Sequence, residues 1–211
     1  MEKNRNMEVK APFGPRIAKT DMPKNLIDRI NKFIDEVVEN NVLNKLYDHG
    51  KNLAGQVSQE IFLPDEIINE GLSNFLFEAT KVYVKGVAKK EIKEFEIARV
   101  WVVRQFKGEY NPIHWHGGHI SGVGYLKLPN SFGDTVQSNK KDNPNGTVNF
   151  IHGTRQFLSS SIYQKIPEVG HFYLFPNYLM HSVYPFNEEG ERRSISFNAT
   201  IDEDIFNVYG K

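Results

Sequence analysis

Three of the seven histidines fall within six residues of one another in the stretch Asn111–Pro129, NPIHWHGGHISGVGYLKLP. In an extended IHWH, residues i and i+2 project from the same face, so His114 and His116 point together and can grip one ion, with Trp115 opposite. A third ligand must come from elsewhere. The best candidate is His181 in FPNYLMHSVYP, 65 residues beyond His116, far enough for two or three intervening strands. Neutral imidazoles suit iron, zinc, copper and nickel, and there is no cysteine to favour a structural zinc site. An isolated pair fits a solvated strand end equally well, so the pair alone does not decide. His119, in the glycine-rich turn that follows, reads as a turn residue or an outer donor rather than a ligand. His49, His152 and His171 have no partner at metal-ligand spacing and read as structural.

The segment after His181, HSVYPFNEEGERRSISFNA, turns through a glycine and enters a strand. Its alternation puts Arg192, Ser194, Ser196 and Asn198 on one face and Arg193, Ile195 and Phe197 on the other. A buried polar face must satisfy its groups. A cavity holding an anion would do so, because arginine clamps a carboxylate through two parallel hydrogen bonds. On this pattern alone a surface arginine fits Arg192 as well, and Arg193 is expected to be a solvated charge. In SGVGYLKL, Ser121, Val123, Tyr125 and Lys127 alternate with Gly122, Gly124, Leu126 and Leu128. Tyr125 offers either ordinary packing or a hydroxyl to the same anion.

Elements must bring these residues together. From Pro23 onward, Leu26, Ile27, Ile30, Phe33, Ile34, Val37 and Val38 recur at helical spacing, with Thr20 or Asp21 as the cap. A second helix is expected from Pro64 to about Val87, with Ile67, Ile68, Leu72, Phe75, Leu76, Ala79 and Tyr83 on its apolar face. Both stripes predict helices that face a core. After Glu94, the segments FEIARVWVVRQF, HISGVGYLKL, TVNFIH, HFYLFP and RRSISFNATI are short, β-branched and aromatic, and predict strands. Helices followed by a run of strands predict an α+β domain, with the helices packed on one face of a mainly antiparallel sheet system. Residues 1–22 are expected to form an extended arm and 23–211 a single domain, with helices over 23–92 and a β core over about 93–202. The polar interval Pro129–Gly146 is expected to be a disordered or functional loop, such as a lid.

A chain of 211 residues, 39% of them hydrophobic, can bury one ample core. Basic and acidic residues both total 26, which argues against general nucleic-acid binding. No apolar run approaches the roughly 20 residues that span a bilayer, and the start MEKNRNMEVK does not read as a secretory signal. The expectation is a soluble cytoplasmic protein that does not engage a membrane.

Three blocks resemble the iron(II)- and 2-oxoglutarate-dependent oxygenases. RQFKGEYNPIHWH is similar to the strand and loop leading to the first metal ligand in prolyl-hydroxylase-like members. HISGVGYLKLP is similar to the SGVYYL strand of a bacterial and phage branch of that superfamily. GHFYLFPNYLMHSVYPFNEEGERRSISFN is similar to the closing G…LFP…H…V…P…G-E-R-x-S-I-S-F-N of the same branch. The blocks lie in order between Arg104 and Asn198, a little under half the chain.

The resemblance implies a double-stranded β-helix, or jelly roll. It implies that His114 and His181 are iron ligands, that Arg192 clamps 2-oxoglutarate, that Tyr125 hydrogen-bonds it and that Ser194 lines the same pocket. Most members carry Asp or Glu two residues after the first histidine. This chain has His116, as does the branch it resembles, which implies either a three-imidazole site of His114, His116 and His181 or a site with an open position. The implied activity is hydroxylation of a C–H bond, in a prolyl or other peptidyl substrate, by Fe(II), molecular oxygen and 2-oxoglutarate, with release of succinate and CO2. The implied partners are 2-oxoglutarate and a peptide or protein substrate. Two other readings stay open: a cupin-like three-histidine dioxygenase without a cosubstrate, and a non-catalytic jelly-roll binding or structural module.

Overall fold

The spacing of Leu26, Ile27, Ile30, Ile34 and Val37 puts one apolar stripe on a helix, and all five side chains are buried in α1 (Lys24–Glu39). Burying each contributes roughly 1.5–3 kcal/mol. This is a computed structural model, and it describes residues 13–50, 53–137 and 139–207. Most of the expected arm, residues 1–12, lies outside the described residues, as does Ser138 of the long polar loop.

The start of α1 differs from the expected cap. Pro23 holds the cap position with no side-chain hydrogen bond, while Thr20 and Asp21 belong to an edge strand, β1 (Ala18–Asp21). The chain breaks after Glu39 because Asn40 is extended (φ −113°), and its side chain accepts from Val42 and Leu43 N–H to start α2 (Asn41–Tyr47). This helix and the next strand, β2 (Gln59–Phe62), were not expected from the pattern. The long helix expected over 64–87 is interrupted. A short turn, α3 (Asp65–Ile67), leads into a wide π turn over Ile68–Leu72, where Gly71 adopts φ +98°. That left-handed backbone ends one helix and lets α4 (Ser73–Ala88) begin in a new direction.

Eight further strands follow: β3 (Phe95–Gln105), β4 (Asn111–His114), β5 (Ile120–Lys127), β6 (Val148–Ile151), β7 (Ile162–Lys165), β8 (His171–Pro176), β9 (Met180–Val183) and β10 (Arg192–Ile201). A short helix, α5 (Glu203–Phe206), follows them. They form two antiparallel sheets, one in the order β1-β8-β5-β10-β3-β2 and the other β4-β9-β6-β7. Among the described residues, no pairing closes the two sheets into one barrel. The fold is therefore α+β, as expected, with the N-terminal helices packed on the six-stranded sheet. No helix among the described residues is long and apolar enough to cross a membrane.

Strand alternation sorts two cores. Val100, Val102, Leu126, Ile195 and Phe197 face the helices, whereas Val123, Tyr125, Tyr173 and Phe175 face Val148, Phe150 and Val183 of the smaller sheet. Two glycines of β5 serve the helix side. A Cβ on Gly122 would stand 2.5 Å from the Phe197 ring, and one on Gly124 2.4 Å from the Phe172 ring. The glycines let both buried rings lie against the strand, which keeps the sheet close to the helices and frees its other face for the site.

Candidate metal centre

The smaller sheet positions two of the three histidines. In the pairing of β4 with β9, His114 and His181 are direct partners. His116 lies two residues past the end of β4, where its N–H donates to the Asn177 carbonyl (3.1 Å) and its own carbonyl accepts from Asn177 Nδ2 (3.3 Å). The three side chains converge, each offering a ligand atom within 4.8 Å of the others.

Their tautomers follow from their neighbours. His114 Nδ1 donates to the Pro112 carbonyl at 2.7 Å and His181 Nδ1 to the Leu179 carbonyl at 2.9 Å. Each Nδ1 therefore carries the proton, leaving Nε2 with a free lone pair, the arrangement that orients a metal-binding imidazole. His116 Nε2 lies 3.1 Å from His181 Nε2. Two nitrogens bonded to one ion at about 2.1 Å and at a right angle stand about 3.0 Å apart, so this spacing suits a shared ion. Burial pushes the His181 imidazole down to about 3 and the His116 imidazole down to about 4, with neighbouring imidazoles adding to both shifts. Burial likewise lowers His114, against its bond to Pro112. All three are neutral at pH 7, as ligation requires.

The histidines open onto a cavity of about 270 Å³ between the two sheets, whose other walls include Arg192, Ser194, Ser196 and Asn198. The strand parity read from the sequence therefore places these four side chains as expected. Arg192 is 1% exposed; its Nη1 donates to Gln105 Oε1 at 2.8 Å, while Nε and Nη2 have no hydrogen-bond partner among the described residues. Tyr125 is fully buried behind this wall, its ring centroid 5.1 Å from the Arg192 guanidinium carbon and its hydroxyl likewise without a partner.

Arg193 departs from expectation. It is not solvated but 1% exposed, pointing to the helix layer, where Nη2 meets Asp35 at 2.7 Å and Nε meets Glu191 at 2.9 Å. Burial opposes the charge on Glu191, yet Arg193 and Arg104 together hold its carboxyl at about 2. His119 is not among the converging histidines. Its Nδ1 accepts from Ile201 N–H at 3.0 Å, and its ring stacks on Phe206 at 3.8 Å.

Sequence reasoning missed two further cavity residues, Glu60 and Asn111. Glu60 is 2% exposed, and burial, with Asp48 nearby, pushes its carboxyl up to about 7. A four-residue strand carries too little alternation to reveal a buried carboxyl in advance.

Residues 99–198, covering β3 to β10, match the family described as "Putative 2OG-Fe(II) oxygenase". The match spans 100 of the 211 residues, a little under half of the chain. Solved structures agree in fold at low identity. A prolyl hydroxylase from Trichoplax adhaerens, in complex with a hypoxia inducible factor peptide fragment, superposes with a TM-score of 0.59 at 12% identity, covering 92% of this chain and 87% of that one. A Pseudomonas putida prolyl-4-hydroxylase gives 0.55 at 12% identity, with 88% and 91% covered. The collagen prolyl hydroxylase of Paramecium bursaria Chlorella virus-1 gives 0.53 at 16%, with 87% and 94% covered. No curated protein matches the chain.

This similarity does not carry the usual chemistry of those oxygenases to this chain. The expected Fe(II), 2-oxoglutarate and oxygen chemistry, with hydroxylation of a prolyl or other peptidyl substrate and release of succinate and CO2, is overturned by the donor set. That chemistry uses two histidines and one carboxylate. Among the described residues the converging ligands are three histidines, with no Asp or Glu in the group. Three neutral imidazoles contribute no negative charge to the ion, which changes both its affinity and its reactivity.

Proposed function

We propose that the protein is a cupin-like three-histidine metalloenzyme, a dioxygenase acting on an organic acid without a 2-oxoglutarate cosubstrate. The supporting observation is the convergence of one ring nitrogen from each of His114, His116 and His181, with no Asp or Glu in the group among the described residues. The ion in such a site supplies Lewis acidity and redox chemistry; the chain supplies binding and exclusion of water. Arg192 takes the substrate's carboxylate through its two unpartnered nitrogens, with Ser194 on the same wall and Tyr125 behind. The two sheets then serve as halves of a double-stranded β-helix, and β1 belongs to the same domain as the strands that carry the site.

The test is metal analysis after loading with first-row divalent ions, followed by oxygen-uptake assays against a panel of carboxylic acids with and without 2-oxoglutarate. Oxygen uptake that needs no 2-oxoglutarate and yields no succinate is the expected result. Stoichiometric succinate production would overturn the reading, and metal binding without turnover on any acid would favour a non-catalytic binding module.

A further inference from the structure

The cavity has one more chemically distinct corner. Strand register lines up Glu60 of β2, Val103 of β3, Ser194 of β10 and Tyr125 of β5 in a single row across the sheet. Glu60 stands at the edge-strand end of that row, its Cα about 10 Å from that of Ser194 at ordinary strand spacing. It lines the cavity, is 2% exposed, and its Oε2 has no hydrogen-bond partner among the described residues. Asn111, at the start of β4, lines the same cavity with a buried Oδ1 that also lacks a partner. A Cβ on Gly55 would lie 3.1 Å from both Glu60 Oε1 and Asn111 Oδ1. The Glu60 carboxyl and the Asn111 amide oxygen thus both lie beside the bare Cα of Gly55, where a side chain would crowd them and Val57 alike.

Buried acceptors without donors are unfavourable unless something completes them. The charges around this corner favour a cation. Asp48 Oδ1 accepts from the Glu60 backbone N–H at 3.5 Å, so a second acidic residue stands next to Glu60 and adds negative potential to this corner. Arg99 lines the cavity too, but its guanidinium is stacked on Phe62, 4.6 Å from the ring centroid.

We propose that Glu60 and Asn111 form a subsite at Gly55 for a proton-bearing nitrogen of the substrate, an amine or ammonium group. The substrate is then an amino acid in the broad sense, with a carboxylate at Arg192 and an amine at Glu60. The carboxylate end rests on the function proposed above; the amine end rests on this corner alone.

The test titrates pentanoate, 5-aminopentanoate and n-butylammonium into the metal-loaded protein, followed by NMR. In the unaltered protein, 5-aminopentanoate is expected to bind on the order of tenfold or more tighter than pentanoate, the worth of a charge-assisted hydrogen bond. Glu60→Gln and Gly55→Ala are each expected to erase that preference while leaving pentanoate binding unchanged. Gly55 belongs to neither apolar core, and its added methyl meets the Val57, Glu60 and Asn111 side chains, so Gly55→Ala keeps the test valid if Glu60→Gln disturbs folding. Equal binding of the two carboxylates would overturn the amine subsite and leave the carboxylate reading standing. Glu60-dependent binding of n-butylammonium without pentanoate binding would support the subsite and overturn the carboxylate reading. No preference for either amine probe over pentanoate would overturn the subsite.

Discussion

His114 and His181 face each other across the β4–β9 pair, with ring centroids 4.3 Å apart. Two ligands are thereby fixed by a backbone ladder, and only His116 depends on a loop, pinned through Asn177. The site's order comes from a sheet, which is why it can be ready before any ion arrives.

Removing a ligand should be decisive. His181→Ala is expected to weaken metal binding by more than about 100-fold, beyond the 10–100-fold typical of losing an outer partner. His116→Ala should do the same if the third imidazole ligates; near-normal metal content would refute the three-imidazole centre. His119→Ala should keep its metal but lose about 1–3 kcal/mol of stability, because Ile201 N–H loses its acceptor. Metal content and urea denaturation on the three variants separate these effects.

The imidazoles predict a pH dependence of the metal-free protein. Folded His116 and His181 titrate at about 4 and about 3, below their usual 6.5. The unfolded chain therefore binds more protons between these limits, so stability falls as pH drops from 6.5 toward 3. His181→Gln should flatten that slope. A slope unchanged by the substitution would show that the buried imidazole does not control it.

Glu60 should act in the opposite direction. Its carboxyl is raised to about 7 by burial and by Asp48, so the folded protein holds a proton that the unfolded chain has released. Stability is then lost as pH rises from about 4.5 to 7 and is flat above, a loss on the order of 3 kcal/mol. Glu60→Gln removes this term. Denaturation midpoints of the two proteins should diverge between pH 5 and 8 in favour of the variant by roughly that amount.

Arg193→Ala should destabilise the fold by about 3–5 kcal/mol, as expected for breaking a buried ion pair and leaving Glu191 short of a partner. Asp35→Ala should matter far less, because that carboxylate is largely exposed. Metal content should stay normal in both. Loss of metal on Arg193→Ala would mean that the helix layer and the site are coupled.

What the sequence disclosed depended on how local the signal was. The α1 stripe, the HxH pair and the alternation of β10 are periodicities within a few residues, and each landed where its pattern put it. The break at Gly71 hid inside an apolar pattern that continues on both sides of it. The four-residue strands β2, β7 and β9 lack the β-branched and aromatic run that marked the equally short β6. Arg193 could not be recognised as buried because its partner Asp35 lies 158 residues away in sequence. The three-histidine donor set was visible, but the cosubstrate chemistry came from resemblance, and the residues themselves did not carry it.

The adjacent arginines of β10 point to opposite layers, Arg192 to the cavity and Arg193 to the helices. A one-residue slip in register from the start of the strand would exchange them, sending Ile195 and Phe197 into the cavity and the serines into the apolar layer. Every position on one side of the change would then be on the wrong face at once. Length variation should therefore be tolerated in the exposed Asn187–Gly190 turn and forbidden in the strand that follows it, so that this segment of the gene can drift by substitution but not by frame-preserving indel.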